Sequence, residues 1–202
     1  MGYIGTKPSA VPLTSADITD GIITSAKIAD GTIVNADINA SAGIVNSKLS
    51  GVGITMADQW RLTANVTTDT DITSNLERVD EASSGFIGTG MTESSGIFSF
   101  PSTGIYLVRL IANGEAVIND NISIDIKVTI DNSSYNGYAT SVESGDAGTG
   151  FCSMACEGII DVTDVSNVKV KFATSSIGAG SSILGNSNQN DTTFTFIRLG
   201  DT

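Results

Sequence analysis

The strongest constraint on the fold lies in residues 96–110, which read GIFSFPSTGIYLVRL. Two apolar segments flank the sequence PSTG at 101–104, a pattern that predicts strand, turn and strand. Side chains alternate between the faces of a strand, so one face should carry Ile105, Leu107 and Ile111 and the other Tyr106, Val108, Leu110 and Ala112. A strand that is apolar on both faces needs cover on both. One face is therefore expected in a sandwich core and the other at a subunit interface.

Residues 16–54 contain an internal repeat of five residues. The central residue of each unit is Ile or Leu, and the residue two positions before it is nearly always Ala, Gly or Ser. A period of five fits neither a helix nor a flat strand. Eight units give a single chain little core, so this stem is expected to need partners. Its predicted core positions are Ile18, Ile23, Ile28, Ile33, Ile38, Ile44 and Leu49.

The repeat has three interpretations. It resembles the pentapeptide-repeat family, whose square right-handed β-helix buries the central apolar residue within one chain. The same phasing gives a ten-residue repeat with turns at Asp20-Gly21 and Asp30-Gly31. Such decads resemble the stems of phage fibre proteins, in which three chains wind together and each Ile joins a shared axial core. A linker without fixed structure is the third alternative, although Ile at every fifth position is unusual for a solvated linker.

The opening segment, residues 1–14, resembles the short N-terminal segments with which small marine phage proteins attach to the virion. The resemblance rests on the sequence YIGTKPS, and it assigns virion attachment to Tyr3, Ile4, Gly5 and Pro8. It implies a phage capsid or tail protein as partner. The N-terminus lacks the pattern of a signal peptide, and no apolar run is long enough to span a bilayer. Neither membrane insertion nor standard secretion is expected.

A globular part is expected to begin near residue 56, where the five-residue period stops and the only tryptophan follows. Residues 67–85 are predicted to form a loop and a short edge strand, with the charged run at 77–81 mostly solvated. Further strands are predicted over 138–142, 150–162, 167–174 and 192–199, giving eight to ten in all and no helix. Strict alternation over 121–131 predicts a half-buried strand with an inner face of Ile122, Ile124, Ile126, Val128 and Ile130.

Several landmarks of this part resemble the jelly-roll heads of the tumour necrosis factor and complement-1q superfamily. They are VKVKF at 168–172, TTFTFIRLG at 192–200, and the residues Phe98, Phe100, Pro101, Gly104, Ile105, Tyr106 and Leu107. The resemblance implies an all-β fold, a trimeric jelly-roll sandwich head preceded by an extended repeat stem. It also places the strand after Gly104 and the last strand near the three-fold axis. The trimer interface is accordingly assigned to Ile105, Tyr106, Leu107, Arg109, Phe194 and Phe196.

The charge of the chain and its residue types exclude several functions. The net charge is −12, and residues 56–202 hold eighteen of the twenty-two acidic side chains, so phosphate backbones should be repelled and nucleic acid is not an expected partner. Histidine is absent, which removes Ser-His and Cys-His catalysis. The GTG sequences at 88–90 and 148–150 lack the rest of a phosphate-binding motif. Paired carboxylates such as Asp69 and Asp71 are more often solvated or cation-binding than catalytic, and no enzyme is predicted.

The remaining candidate chemistry is calcium binding and thiol chemistry. Some heads of this superfamily bind calcium, and Asp120, Asp125, Asp131 and Asp146 offer oxygen ligands, but their spacing matches no known calcium loop. Surface acids without a metal are therefore the preferred interpretation. The two cysteines stand four residues apart on one predicted strand, about 13 Å in extended geometry and beyond disulfide reach. Cys152 and Cys156 are predicted to be buried free thiols.

Together these resemblances imply a non-enzymatic phage virion protein with an attachment segment at 1–14, a repeat stem at 15–55 and a jelly-roll head at 56–202. The head of such a homotrimeric tail or head fibre would bind a host-surface glycan or protein. The Gly- and Ser-rich loop at 175–191 is the expected contact region, with Ser181, Asn186 and Asn188 as candidates. Two alternatives stay open: a capsid decoration protein that binds no receptor, and a secreted binding module of the same superfamily.

Overall fold

A computed structural model of the chain describes residues 14, 18–39, 41–44, 53–145 and 150–202. The chain divides into two compact units, Met1–Ser50 and Gly51–Thr202. All strands of the described residues belong to the second unit. No helix in the described chain is long and apolar enough to cross a membrane. The predicted attachment residues and one predicted stem residue lie outside the described residues: Tyr3, Ile4, Gly5, Pro8 and Leu49.

In the first unit, a tight turn recurs every ten residues. Short 3-10 helices cover Ser25–Lys27 and Asn35–Asp37. Gly21 and Gly31 precede them with φ angles of 78° and 76°, which glycine adopts without strain. The described residues of this unit form no strands. The turns share their period of ten with the decad interpretation, and the choice among the three interpretations of the repeat stays a prediction.

Six strands form the first sheet of the second unit. They are β1 (Ala57–Leu62), β3 (Leu76–Arg78), β6 (Gly104–Ala116), β9 (Gly150–Val162), β11 (Ser182–Ile183) and β12 (Thr192–Gly200). The order is β9–β6–β12–β1–β3, and β11 pairs with the last part of β6 beyond β12. Every pair is antiparallel. The central strand β6 thus pairs with three others.

Six strands also form the second sheet. They are β2 (Thr70–Asp71), β4 (Thr92–Ser94), β5 (Ile97–Ser99), β7 (Asn121–Thr129), β8 (Asn136–Ser144) and β10 (Lys169–Ser175). The order is β4–β5–β10–β7–β8, with β2 paired to β10. The predicted all-β jelly-roll sandwich is confirmed. The strands of the described chain outnumber the eight to ten predicted, because strands of two or three residues are too short to leave a periodic signal.

The core lies between the facing sides of the two sheets. On β6, alternate side chains are fully buried as predicted: Tyr106, Val108, Leu110 and Ala112. Four aromatic rings from both sheets meet beside them, with centroids 4.5 to 6.1 Å apart: Phe98, Phe172, Phe194 and Phe196. Such ring pairs add about 0.5–1.5 kcal/mol each beyond the apolar area that they bury. This aromatic cluster holds the two sheets together.

The alternation predicted for β7 is confirmed except at its end. Its fully buried side chains are Ile122, Ile124 and Ile126, and Val128 is partly buried against them. Ile130 was assigned to the same face, but it is 78 % exposed. The strand ends at Thr129, and the Asp131 carboxylate then accepts bonds from two backbone N–H groups of the following turn. The prediction for Ile130 is wrong because the chain has already left the sheet there.

The side of the sandwich between β8 and β9 is closed by Tyr138. Its hydroxyl donates a hydrogen bond to the carbonyl oxygen of Ile159. Its ring lies against Gly158, where an added Cβ would stand 2.0 Å from the ring carbon Cε1. The close approach of the two edge strands therefore requires glycine at position 158.

The two ends of the sandwich carry different parts of the chain. The segment before β1 lies at the end that holds the turn at 100–103, because Arg198 bonds both the Thr55 hydroxyl and the Thr103 carbonyl oxygen. Strand β12 starts at the opposite end, where Thr192 pairs with Ala112. The loop at 184–191 therefore lies at the end away from the entry of the chain, which we call the distal end.

Candidate functional site

The outward face of the first sheet carries the side chains that alternate with the core along β6. Strand pairing places Leu107 beside Ile159 on β9 and beside Ile197 on β12, and it places Ile197 beside Ala57 on β1. We call these four residues the apolar row. Ile159 is 59 % exposed, and the other three are partly exposed. An apolar row that crosses four strands is suited to contact with another protein surface.

Three of the six predicted interface residues belong to the core instead. The side chains of Tyr106, Phe194 and Phe196 are 0 % exposed within one chain. They occupy the alternate positions that face the second sheet, whereas the prediction treated neighbouring residues of the motif as one surface. Their assignment to an interface is corrected. Ile105, Leu107 and Arg109 lie on the outward face, and their part in an interface remains a prediction.

Arg109 forms an ion pair with a carboxylate on the neighbouring strand. Its Nε lies 3.5 Å from Oε2 of Glu157 across the pair of β6 and β9, and the two side chains are 46 % and 58 % exposed. Exposed ion pairs of this kind contribute about 0–1 kcal/mol to folding. The pair lies next to the apolar row in the sheet, so it gives that face a polar border.

The repeat isoleucines have no core among the described residues of the first unit. They are between 39 % and 55 % exposed: Ile18, Ile23, Ile28, Ile33, Ile38 and Ile44. Local bonds hold the backbone instead. The Lys27 ammonium donates to the Ile22 carbonyl oxygen at 2.6 Å, and the Asp37 carboxylate accepts from the Val34 N–H at 2.9 Å. Within the described part of this unit, a single copy therefore leaves these six side chains partly in contact with water.

The predicted receptor contacts at the distal end divide into one buried and two accessible residues. Ser181 is 1 % exposed, and its hydroxyl oxygen accepts a bond from the Val117 N–H at 3.0 Å. Ser181 holds the loop in place, so its assignment as a receptor contact is corrected. Asn186 is half-buried and Asn188 is exposed. The Asn186 side-chain oxygen accepts from the Asn188 N–H at 2.9 Å, which shapes the turn that presents residues 187–190.

The acids predicted as calcium ligands are bound by protein groups where the structure describes them. A bond from the Ser181 hydroxyl to Asp120, and one from a backbone N–H of the next turn to Asp131, hold the pKa of both carboxyls below the usual range. Asp125 accepts a bond from a serine hydroxyl on β10, and Asp146 lies outside the described residues. No group of three or more metal-binding side chains is brought together in the described chain. Calcium binding stays the untested alternative to the preferred interpretation of surface acids without a metal.

Both cysteines are free thiols, as predicted. Cys156 is 7 % exposed, and Cys152, predicted to be buried, is only half-buried on the same face of β9. Burial and the negative charge of Asp125 raise the pKa of the Cys156 thiol to about 12, and burial raises the pKa of Cys152 as well. Thiols with raised pKa values are poor nucleophiles at neutral pH.

The sequence prediction missed a buried cation on the outward face of the first sheet. Arg61 is 1 % exposed, and its guanidinium binds the carboxylates of Glu77, Asp80 and Glu81. Burial opposes the charge, but the bonds to Glu77 and Glu81 outweigh it and raise the pKa of Arg61. The charged run at 77–81, predicted to be mostly solvated, therefore folds over Arg61. It covers the outward face near β1.

A second missed ion pair joins β1 and β3. The Asp58 carboxylate is fully buried and accepts bonds from Arg78 Nε at 2.8 Å and Arg78 Nη2 at 3.0 Å. It also accepts from Trp60 Nε1 at 3.0 Å and from the Met91 N–H at 2.7 Å. Trp60 pairs with Arg78 across β1 and β3, so the sheet itself places the arginine beside the tryptophan. The only sequence signal was an aspartate two residues before the single tryptophan.

No family of known proteins matches this sequence, and no curated protein matches it. Solved structures with the same fold do match. Eiger TNF from S. frugiperda has a TM-score of 0.56 and 15 % identity, over 74 % of this chain and 96 % of that chain. Murine APRIL at pH 8.5 has a TM-score of 0.53 and 12 % identity, over 71 % of this chain and 98 % of that chain. At such identities the likeness establishes the fold alone, an all-β jelly-roll sandwich like those of these two structures.

Proposed function

We propose that the chain is a non-enzymatic phage virion protein, a homotrimeric tail or head fibre whose C-terminal unit binds a receptor on the host surface. Its N-terminal segment attaches to a capsid or tail protein, and the repeat segment forms the stem. The observation that carries the proposal is that the two ends of the head differ. The chain enters the sandwich at one end, and the loop at 184–191 lies at the distal end. A head anchored through its entry presents that loop outward.

Two exposed apolar surfaces support the trimer. The repeat isoleucines are open to water in a single copy, and burying apolar surface stabilises an assembly by about 25 cal/mol per Å². The apolar row is a second such surface, on the outward face of the first sheet. Three copies around one axis cover both surfaces with the same symmetry. A shared stem and a shared head interface then reinforce each other.

The distal end has the chemistry of a hydrogen-bonding surface. Residues 187–190 read SNQN and are all exposed, so they offer uncharged donors and acceptors to a host glycan or protein. Each head needs only weak affinity, because several heads on one particle bind together. The net charge of −12 argues against nucleic acid as the receptor.

Binding of the purified, labelled protein to host cells tests the receptor role. We expect saturable binding that the double substitution Asn188→Ala with Gln189→Ala removes, while the melting temperature stays unchanged. Asn136→Ala is the matched control, since Asn136 is exposed on β8 at the opposite end. Absence of binding at saturating protein would contradict the receptor role and favour capsid decoration.

Electron microscopy of intact particles with an antibody against the head tests the virion role. Labelling at the free ends of fibres is expected for a tail or head fibre. Labelling spread over the capsid surface would instead indicate decoration. A particle preparation that carries no label, with the purified head as positive control, would contradict the virion assignment.

A further inference from the structure

A groove opens on the side of the sandwich, at the edge where β3 and β4 face each other. Its volume is about 570 Å³, and its lining includes Trp60, Arg78, Phe86, Gly90 and Glu93. The guanidinium carbon of Arg78 lies 4.9 Å from the ring centroid of Trp60 and 4.9 Å from that of Phe86. We call this site the aromatic groove. It lies on the side of the head, whereas the proposed receptor loop lies at the distal end.

The aromatic groove is held in shape by the protein alone. The buried Asp58 carboxylate fixes Arg78 through two bonds, and Arg78 Nη2 also donates to the Met91 carbonyl oxygen at 2.7 Å. Gly90 lets the loop approach this pair, since an added Cβ would stand 2.5 Å from Asp58 Oδ2 and 2.8 Å from Arg78 Nη2. A ligand would therefore meet a rigid donor and lose little free energy to ordering the site.

Three groups of the groove are left open for a ligand. Arg78 Nη1 has no acceptor among the described residues, and the Arg78 side chain is 35 % exposed. The Phe86 side chain is 53 % exposed. Glu93 uses Oε1 to accept the Gly96 N–H at 2.6 Å. The groove thus combines a guanidinium N–H donor, an aromatic surface and a carboxylate acceptor.

The charge of these groups decides which ligands fit. Asp58 neutralises Arg78, and Glu93 adds a negative charge within a chain that already carries −12. A carboxylate, sulfate or phosphate would meet net repulsion in such a groove. A neutral sugar ring would pack its C–H face on Phe86, accept from Arg78 Nη1 and donate a hydroxyl to Glu93. We infer that the aromatic groove binds a neutral saccharide.

The single tryptophan makes this inference directly measurable. Trp60 lines the groove and is the only tryptophan of the chain, so its fluorescence reports occupancy. The full chain is titrated with glucose, galactose, mannose and N-acetylglucosamine and their disaccharides, and with glucuronic and galacturonic acid as charged counterparts. We expect a saturable change with at least one neutral sugar and weaker binding of its acid. No saturable response to any neutral sugar, or tighter binding of the acids, overturns the inference.

Two substitutions separate the groove from other surfaces. Phe86→Ala is expected to weaken saccharide binding about tenfold, because it removes the stacking surface. Phe151→Ala is the matched control, since Phe151 is 79 % exposed on β9, and it should leave binding unchanged. If both variants bind as tightly as the natural protein, the saccharide lies elsewhere and the inference is wrong.

Glu93→Gln tests the charge argument separately. Glutamine keeps the acceptor for the Gly96 N–H and removes the negative charge. We expect binding of the neutral sugar to change by less than about twofold and the preference over the acid to shrink several-fold. An unchanged preference would contradict the part assigned to Glu93. These outcomes do not depend on the proposed receptor role, because Asn188→Ala with Gln189→Ala should leave the fluorescence titration unaltered.

Discussion

The isoleucines of β7 and those of the repeat segment are spaced with equal regularity and have opposite environments. Ile122, Ile124 and Ile126 are fully buried, whereas the repeat isoleucines are 39–55 % exposed within their unit. The difference lies in what faces them. Strand β7 alternates against a second sheet of the same chain, and the described repeat residues have no second layer in their unit. Regular apolar spacing thus identifies a surface that needs cover, but it does not identify the chain that provides the cover.

The first sheet repeats the same contrast on its two faces. The face toward β7 and β10 is filled by aromatic side chains of the same chain. The other face carries the apolar row with Ile159 59 % exposed. The head is therefore expected to fold as a single copy, while its outward face and the repeat depend on assembly.

The largest expected effect is on the core that one chain completes. Phe98→Ala removes a ring that contacts Trp60, Phe172, Phe194 and Phe196, so we expect the free energy of unfolding of the head to fall by about 3–5 kcal/mol. Chemical denaturation followed by circular dichroism measures this. Ile23→Ala in the repeat is the control, and it should change the stability of the head by less than about 0.5 kcal/mol. Equal losses would contradict an independent head core.

The next effect concerns the surface that other copies are proposed to cover. Leu107→Asp places a charge in the apolar row, and burying it unpaired at an interface costs about 3 kcal/mol or more. We expect the trimer to dissociate in light scattering while the circular dichroism spectrum of the head is kept. Thr140→Asp on β8 is the control, because Thr140 is exposed on the other sheet. If both variants assemble alike, the apolar row is not an interface.

A smaller effect is expected when the pH is lowered, and it comes from an ion pair of the second sheet. The hydrogen bond and positive charge of Lys127, together with those of Lys171, hold the pKa of Asp71 below its usual value. A carboxyl group whose pKa is lower in the folded state stabilises the protein at pH values above its unfolded-state pKa of about 3.9. This contribution is lost as the pH falls through the folded-state pKa. The pair is partly exposed, so Asp71→Asn should cost about 1 kcal/mol or less at neutral pH. Denaturation midpoints should converge for the two proteins below about pH 4. A constant difference would contradict this account.

The smallest effect is on thiol reactivity and leaves stability unchanged. Cys156 faces the same core as β7, and its pKa is raised to about 12, so we expect it to react with a thiol reagent more slowly than the half-buried Cys152. The chain itself supplies this protection. The monomeric Leu107→Asp variant should therefore give the same rate for Cys156. A faster rate in the monomer would show that assembly covers this face.

The fold could be predicted where the apolar period was unambiguous. Strand β9 matches its predicted limits, and the alternating faces of β6 are as expected, because a period of two has one structural interpretation. The failures involve partners distant in sequence. Arg61 binds Glu77 and Glu81, and Asp58 binds Arg78, only after β1 and β3 have paired.

The candidate site was predicted less well than the fold. A resemblance marks a motif as a whole, so it did not separate the buried Tyr106 from the outward Leu107. Ser181 was chosen from a loop composition that does not reveal its bond to the Val117 N–H. The aromatic groove left no local pattern, since its lining comes from three separate segments of the chain.

The central claim is that this chain assembles as a homotrimer because its repeat isoleucines and apolar row lack cover in a single copy. Multi-angle light scattering of the purified full chain at micromolar concentration tests it most directly. We expect a mass three times the 20.7 kDa of one chain. A mass of one chain at that concentration would contradict the claim.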